Sequence, residues 1–146
     1  SSKAQQLQQN QKRKKKSRAS TSPLDESTQG LLVEMRTMVE FLVMAFSECF
    51  NSDVDSFTDK ARYDAIMPAL VSAIAIRPVF ASDEQHVAFV KDRLAPCIAS
   101  MAQCVGKDVM WKPMNHQVLM FTRDDSPTVK LAAIHVIYKL FVEVGT

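Results

Sequence analysis

Glycine is scarce in this chain of 146 residues, and the motifs that depend on glycine are missing. Its 3 glycines form no phosphate-cradling loop, dinucleotide fingerprint or nucleophile elbow. Few glycines, together with many Met, Ala and Val residues, favour helices over a turn-rich β fold. Uncharged runs stay well short of the about 18 residues that a membrane-spanning helix needs. The composition therefore predicts an all-α domain and no membrane span.

Cysteine is also rare, and the number of cysteines is odd. Cys49, Cys97 and Cys104 each lie in an apolar, helix-like pattern, and no signal-peptide pattern precedes them. We therefore expect reduced thiols in the core of an intracellular protein. Cys97 and Cys104 are seven residues apart on one helical face, but no second Cys or His pair has zinc-ligand spacing. The sequence predicts no metal site and no cofactor.

No arrangement of residues in the sequence indicates catalysis. His86, His116 and His135 are scattered, and none has a nucleophile motif or a carboxylate at ligand spacing beside it. We expect each histidine to be a surface or partly buried packing residue. The acidic run at 51–56 fails as a calcium loop because it lacks the required glycine, so we expect a solvated loop and a helix cap at Thr58 or Asp59. The sequence predicts no enzyme.

Charge is divided unevenly along the chain. Residues 1–29 carry seven Lys or Arg residues against two acidic residues, a balance of +5, whereas residues 30–146 have a balance of −3. We expect residues 1–29 to be a disordered, low-complexity segment and residues 30–146 to be the folded domain. The basic run consists of Lys12, Arg13, Lys14, Lys15, Lys16 and Arg18. Such a run is typical of nuclear targeting or nonspecific RNA contact, and a solvated linker is the alternative.

Three helices are predicted in the first two thirds of the folded part. They cover Gly30–Phe50, Thr58–Ile76 and a third segment from about Ser82 to Gly106, with prolines inside the second and third. We expect these prolines to kink their helices. The first helix has so wide an apolar arc that we expect it to be buried between two neighbours.

The last third of the chain predicts a helical hairpin. Pro113 stands near the expected start of its first helix, where a missing N–H is tolerated. Asp124 to Pro127 form a turn and cap, and Gly145 is a plausible stop. The second helix has one apolar face, made of Val129, Ala132, Ala133, Val136, Leu140 and Val144.

This hairpin resembles a HEAT repeat, which has a proline in its first helix and Asp, Pro, Val and Arg or Lys around its turn. The matching positions here are Pro113, Asp124, Pro127, Val129, Lys130, Ala132 and Ala133. The resemblance implies that Asp124 and Lys130 lie near the seam between neighbouring repeats. Solenoids need about three such repeats to bury their faces. A helical hairpin that carries this pattern by chance is the alternative.

A longer match is more specific. The run at 110–123 is similar to a signature in the C-terminal region of the large HEAT-repeat subunit of the small-subunit processome. Its signature residues here are Trp111, Lys112, Pro113, Asn115, Gln117 and Arg123. Segments around 62–71 and 94–98 resemble the preceding helices of that family, in the same order. Trp111 has two open interpretations, an interface anchor or, as we expect, a packing residue.

The resemblance implies a HEAT-like α-solenoid fragment that acts as a scaffold. It implies a nucleolar role in pre-ribosomal RNA transcription, early processing and 18S rRNA maturation, within a ribonucleoprotein. The implied partners are other processome proteins, neighbouring HEAT repeats of the same parent chain, and pre-rRNA and the U-three snoRNP, contacted directly or indirectly. The alternatives are a generic HEAT adaptor, such as a transport receptor or phosphatase scaffold, and an RNA-binding module that uses the basic run.

Overall fold

The computed structural model describes residues 25–53, 57–106 and 108–145. The elements in these ranges, in chain order, are α1 (Glu26–Asn51), α2 (Lys60–Ser72), a 3₁₀ turn (Ala73–Ala75), α3 (Asp83–Phe89), a π turn (Val90–Leu94), α4 (Ala95–Val105), α5 (Asp108–Phe121) and α6 (Pro127–Val144). Since α3, the π turn and α4 follow without a break, the described chain has about five helical rods. The prediction of an all-α, HEAT-like fragment of about five helices is confirmed.

Internal contacts divide the chain into residues 1–31 and residues 32–146, and the packing described below is that of residues 32–146. The predicted disordered segment lies outside the described residues as far as residue 24. α1 begins at Glu26, earlier than expected, because the Asp25 carboxylate accepts a hydrogen bond from the Thr28 amide at 2.8 Å and caps the helix.

The expectation that the first helix is buried between two neighbours is wrong. Its buried residues are Val43 and Phe50, and large apolar side chains on the opposite side are exposed. An apolar pattern shows which side chains gain from burial, but burial also needs a neighbour, and α1 has one along a single face.

α2 begins and ends close to the predicted helix. Asp59 is its N-cap, because its carboxylate accepts a hydrogen bond from the Arg62 amide at 2.9 Å. Pro68 lies inside the helix with its ring exposed. The last predicted turn tightens into the 3₁₀ segment rather than continuing as α-helix.

The third predicted helix contains a π turn that its sequence pattern does not reveal. Pro96 has no N–H to donate, and its ring would clash with the carbonyl four residues earlier in a regular α-helix. The chain adds a residue to the preceding turn, so the Ala95 amide donates to the Val90 carbonyl, five residues back. α4 then ends at Gly106, whose φ of 59° is left-handed.

The predicted hairpin is present as α5 and α6. Ser126 caps α6, its hydroxyl accepting from the Val129 amide at 3.4 Å, and Gly145 ends it with a φ of 75°. The prediction that Pro113 stands near the start of its helix is wrong, because α5 begins at Asp108 and Pro113 lies inside it.

The core lies between α2, α4, α5 and α6. Its largest fully buried side chains include Tyr63, Ile74, Leu94, Ile98, Met101, Met114, Val118 and Val136. Burial of each large apolar side chain stabilises the fold by roughly 1.5–3 kcal/mol relative to exposure. Ala132 and Ala133 are also fully buried on α6, and side chains this small let α6 approach its neighbours closely.

Candidate interaction surfaces

The signature region of α5 holds that helix against α2 and α4. The Trp111 indole N–H donates to the Ala102 carbonyl of α4 at 2.9 Å, and its ring is half-buried. On the other side, the buried Tyr63 hydroxyl donates to the Met110 carbonyl at 2.8 Å. Both bonds cross between helices, so they fix the position of α5 against α2 and α4. The structure thus gives Trp111 an intramolecular packing role.

The remaining signature residues lie nearer to solvent. Lys112 and Pro113 are exposed, whereas Asn115 and Gln117 are half-buried. Asn115 lines a small groove of about 140 Å³ with Val118, Leu119, Ile137 and Leu140, between α5 and α6. These side chains are accessible from the surface of the α5–α6 hairpin.

The polar residues of the hairpin turn act within the turn itself. The half-buried Asp124 accepts a hydrogen bond from the Ser126 amide at 2.9 Å, which fixes the turn that presents the α6 cap. Arg123 and Lys130 are exposed. Within the described residues, Asp124 forms no ion pair with Arg123 or Lys130. The seam between repeats that the family resemblance implies for Asp124 and Lys130 stays a prediction.

The predicted basic contact residues, Lys12 to Lys16 and Arg18, lie outside the described residues. The structure does not test their predicted role in nuclear targeting or RNA contact, which stays a prediction.

His86 is more deeply buried than the sequence indicates. Its side chain is fully buried, its Nε2–H donates to the Ile74 carbonyl at 2.8 Å, and its ring lies 5.5 Å from that of Phe80. Burial lowers its pKa below the ordinary value, despite the bond to Ile74. His116 is exposed and His135 half-buried. The expectation of at most partial burial is therefore wrong for His86.

The cysteines occupy three different environments. The expectation of core thiols holds for Cys97, which is fully buried, but it is wrong for Cys49, which is exposed on α1. Cys104 is half-buried and its thiol donates to the Phe50 carbonyl at 3.2 Å. Burial raises the pKa of Cys97, and burial with the nearby Asp53 charge raises that of Cys104 to about 11. These two thiols are poor nucleophiles at neutral pH.

Within the described part of the chain, no three His, Cys, Asp or Glu side chains are grouped closely enough to hold a metal ion. The failed calcium loop has a structural use, since Asp53 accepts hydrogen bonds from the amides of Phe57 and Thr58 at 2.8 and 3.4 Å. None of the described helices has both the length and the apolarity of a bilayer span.

Two helices present apolar residues to solvent. On α6, an outward stripe lies opposite the buried face at helical spacing. It consists of Leu131, Ile134, Tyr138, Phe141 and Val142. On α1, the outward face of residues 32–51 contains Met35, Met38, Phe41, Leu42 and Met44. Exposed apolar residues arranged contiguously along a helix indicate a binding surface.

Two grooves adjoin these helices. One has a volume of about 670 Å³ and runs between α1 and the α3–π segment, with Phe41, Met44 and Phe89 in its lining. The other, of about 520 Å³, lies between α3 and α6, with Leu131 and His135 on one side and the acidic Asp83 and Glu84 on the other. Both are open grooves on the surface of the described residues.

Comparison with known proteins finds relatives that are far longer than this chain. HEAT repeat-containing protein 1 homolog of Dictyostelium discoideum is 32% identical over 105 residues, 72% of this chain and 5% of that protein. HEAT repeat-containing protein 1 of Homo sapiens is 34% identical over 97 residues, 66% of this chain and 4% of that protein. An uncharacterized Arabidopsis thaliana protein is 31% identical over 127 residues, 83% of this chain and 6% of that protein.

The chain thus spans about one twentieth of the length of these relatives. No family model and no solved structure matches it. The sequence similarity and the helical architecture nevertheless agree with each other. This chain belongs to the HEAT-repeat family.

Proposed function

We propose that this chain is a scaffold segment of the large HEAT-repeat subunit of the small-subunit processome. In that role it supports pre-rRNA transcription, early pre-rRNA processing and 18S rRNA maturation in the nucleolus. The signature at Trp111 to Arg123 supports the proposal, as does the similarity to proteins named HEAT repeat-containing protein 1. Because the chain corresponds to about one twentieth of those proteins, it contributes to a role performed by a longer molecule.

The observation that carries the scaffold role is the exposure of apolar faces on α1 and α6. Side chains such as Met38 and Phe141 are more than half exposed, although they gain free energy from burial. Their arrangement supports action by binding rather than by catalysis. We therefore propose that the segment has no enzymatic activity, and turnover by the purified chain that disappears when one histidine is substituted would contradict this.

The proposed partners follow from the same reasoning. The outward stripe of α6 suits a neighbouring HEAT repeat of the parent chain, since repeats bury their faces against the next unit. Other processome proteins are proposed partners for the remaining apolar surface. Pre-rRNA and the U-three snoRNP are contacted directly or through those proteins.

The test is affinity purification of the tagged full-length parent from nuclear extract, followed by sequencing of the RNA that copurifies. We expect enrichment of the U-three small nucleolar RNA and of the 5′ external spacer of pre-rRNA. A parent with a single buried charge, Val136→Asp, is the control for dependence on this folded segment. Recovery of soluble protein partners without these RNAs would overturn the nucleolar role and leave a generic HEAT adaptor.

Direct RNA binding through the basic run is a second candidate, favoured by the +5 balance of residues 1–29. If it is correct, deletion of residues 12–18 abolishes RNA binding by the purified chain and removes its salt dependence, because phosphate contacts release counterions. A deletion of equal length at residues 4–10, which are uncharged, is the matched control. RNA binding that survives the deletion of 12–18 would contradict this candidate.

A further inference from the structure

The outward face of α1 exposes a run of large apolar side chains to solvent. Met38 is 62% exposed and Phe41 is 63% exposed, and Met35, Leu42 and Met44 are exposed beside them. Three of these five side chains are methionines, whose flexible thioethers adapt to partners of different shape. The face is therefore suited to bind a protein surface.

The spacing of this face indicates that its occupant is a helix. Met35, Met38, Leu42, Ala45 and Cys49 follow one another at intervals of three and four residues, and all are exposed. This is the a and d pattern by which two helices keep a continuous apolar seam in contact. A strand or an irregular loop has no reason to match that period.

Charge identifies the chemistry of the occupant. Glu34 and Glu48 flank the seam on one side, seven residues to either side of Phe41, and both are exposed. Neither carboxylate is in an ion pair within the described residues. The basic residue of α1, Arg36, is half-buried, and its guanidinium reaches the Gln85 side chain at 3.5 Å. The seam therefore has an acidic edge and no basic one.

The groove beside α1 adds apolar surface next to this face, and it leaves the net negative charge of the acidic edge unchanged. Phe41, which lies in line with Glu34 and Glu48, and Met44 line the groove of about 670 Å³, whose lining also contains Arg36 and Arg93 together with Glu40 and Asp92. Because these four charges balance, Glu34 and Glu48 decide the preference for charge.

We propose that this face of α1 binds an amphipathic helix of another protein, whose apolar stripe is flanked by Lys or Arg. A second copy of this chain is a poor occupant, because two acidic edges would face each other. Residues 1–24 are polar and basic and have no helical apolar pattern, so they do not themselves supply an apolar helix for this face. The inference rests on the proposed scaffold role but not on its nucleolar setting.

The test uses two labelled helical peptides of equal length and the purified full chain. Both peptides have leucines at the a and d positions, and their flanking positions are all Lys in one and all Glu in the other. We expect fluorescence anisotropy to show at least roughly tenfold tighter binding of the Lys-flanked peptide. The preference should weaken as salt rises, since exposed charges are screened.

Variants of the chain separate the two parts of the proposal. Met38→Gln with Leu42→Gln should weaken binding of the Lys-flanked peptide at least tenfold, because the apolar seam is lost. Glu34→Gln with Glu48→Gln should instead remove most of the preference between the two peptides. Tyr138→Gln, at a residue 67% exposed on α6, is the matched control and should leave both affinities unchanged. All these positions are exposed, and circular dichroism should show folded protein for each variant.

Three outcomes would overturn the proposal. They are equal affinity for the two peptides, a preference that survives in the Glu34→Gln, Glu48→Gln variant, and a loss of binding in Tyr138→Gln as large as in the seam variant. Sedimentation that shows a dimer dispersed by the seam substitutions would assign the face to a second copy. The recovery of nucleolar RNA tests the scaffold's setting separately, so failure of one experiment can be told from failure of the other.

Discussion

α1 and α6 are both apolar on more than one side, yet they are held very differently. α6 has 18 residues and buries five of them, including two alanines that allow close approach, whereas α1 has 26 residues and buries only Val43 and Phe50. α1 carries large methionine and phenylalanine side chains that point to solvent instead. The difference shows that apolar content does not measure how firmly a helix belongs to the core; the number of neighbours does.

The largest expected change in stability is the loss caused by a charge on the buried side of α6, compared with the same charge on its exposed side. Val136→Asp puts an unpaired carboxylate at a fully buried position and should lower the free energy of unfolding by at least about 3 kcal/mol. Val142→Asp, on the exposed side, should change it by no more than about 0.5 kcal/mol. Urea titration measures both. Equal losses would show that the two faces of α6 do not differ as described.

Acidification should lower the free energy of unfolding through the buried His86 rather than through groups on the exposed faces. The pKa of His86 is lowered by burial, so the unfolded chain binds this proton at a higher pH than the folded one. Stability from this residue is fully present above its unfolded pKa of about 6.5 and is lost as pH falls from there toward the lower folded pKa.

Unfolding free energies at pH 7.5 and pH 5.5 would show that loss, and His86→Gln should reduce it. His116→Gln, at an exposed position, should preserve it. A pH dependence unchanged by His86→Gln would mean that other groups cause the loss.

A smaller effect should follow from removing one bond between helices. Tyr63→Phe deletes the hydroxyl that donates to the Met110 carbonyl, and should lower the free energy of unfolding by about 1 kcal/mol. Tyr138→Phe removes an exposed hydroxyl on α6 and serves as the control. An equal effect of the two substitutions would show that the bond from Tyr63 to the Met110 carbonyl does not stabilise the position of α5.

The smallest effect on stability is expected on α1. Cys49→Ser should change the free energy of unfolding by no more than about 0.5 kcal/mol, because its side chain is exposed. Alkylation followed by mass spectrometry should label Cys49 in the native protein and leave the fully buried Cys97 unlabelled until the chain unfolds. Rapid native labelling of Cys97 would show that the body opens more readily than its burial indicates.

Sequence patterns predict the last third of the fold well because its signals are local. Asp124, Ser126, Pro127 and Gly145 each act within a few residues of their position, and the structure uses them as turn, cap, first helical residue and stop. The buried face of α6 follows from spacing alone, since Val129 to Leu140 repeat at helical intervals.

The errors concern features that depend on distant parts of the chain. Burial of α1 and of Cys49 was inferred from apolar pattern, but whether a neighbour covers them depends on tertiary packing. Full burial of His86 depends on the carbonyl of Ile74, which the fold brings to it. No residue on α1 marks its outward face as an interaction surface by itself; the exposed seam and its acidic edge become visible only when the covered side is known.

Because of the π turn at Val90–Leu94, the number of residues in this helical segment helps to determine the fold. It behaves as a one-residue insertion in the middle of a helix, and it rotates every later side chain by about a quarter turn relative to a regular helix. Deletion of one residue there would remove the extra residue that accommodates Pro96, and it would shift α3 and α4 out of phase. Residues such as Phe89 before the π turn and Ile98 after it could then no longer both face the core. The distance in sequence between Ser82 and Gly106 is therefore as constrained as the chemistry of the residues between them.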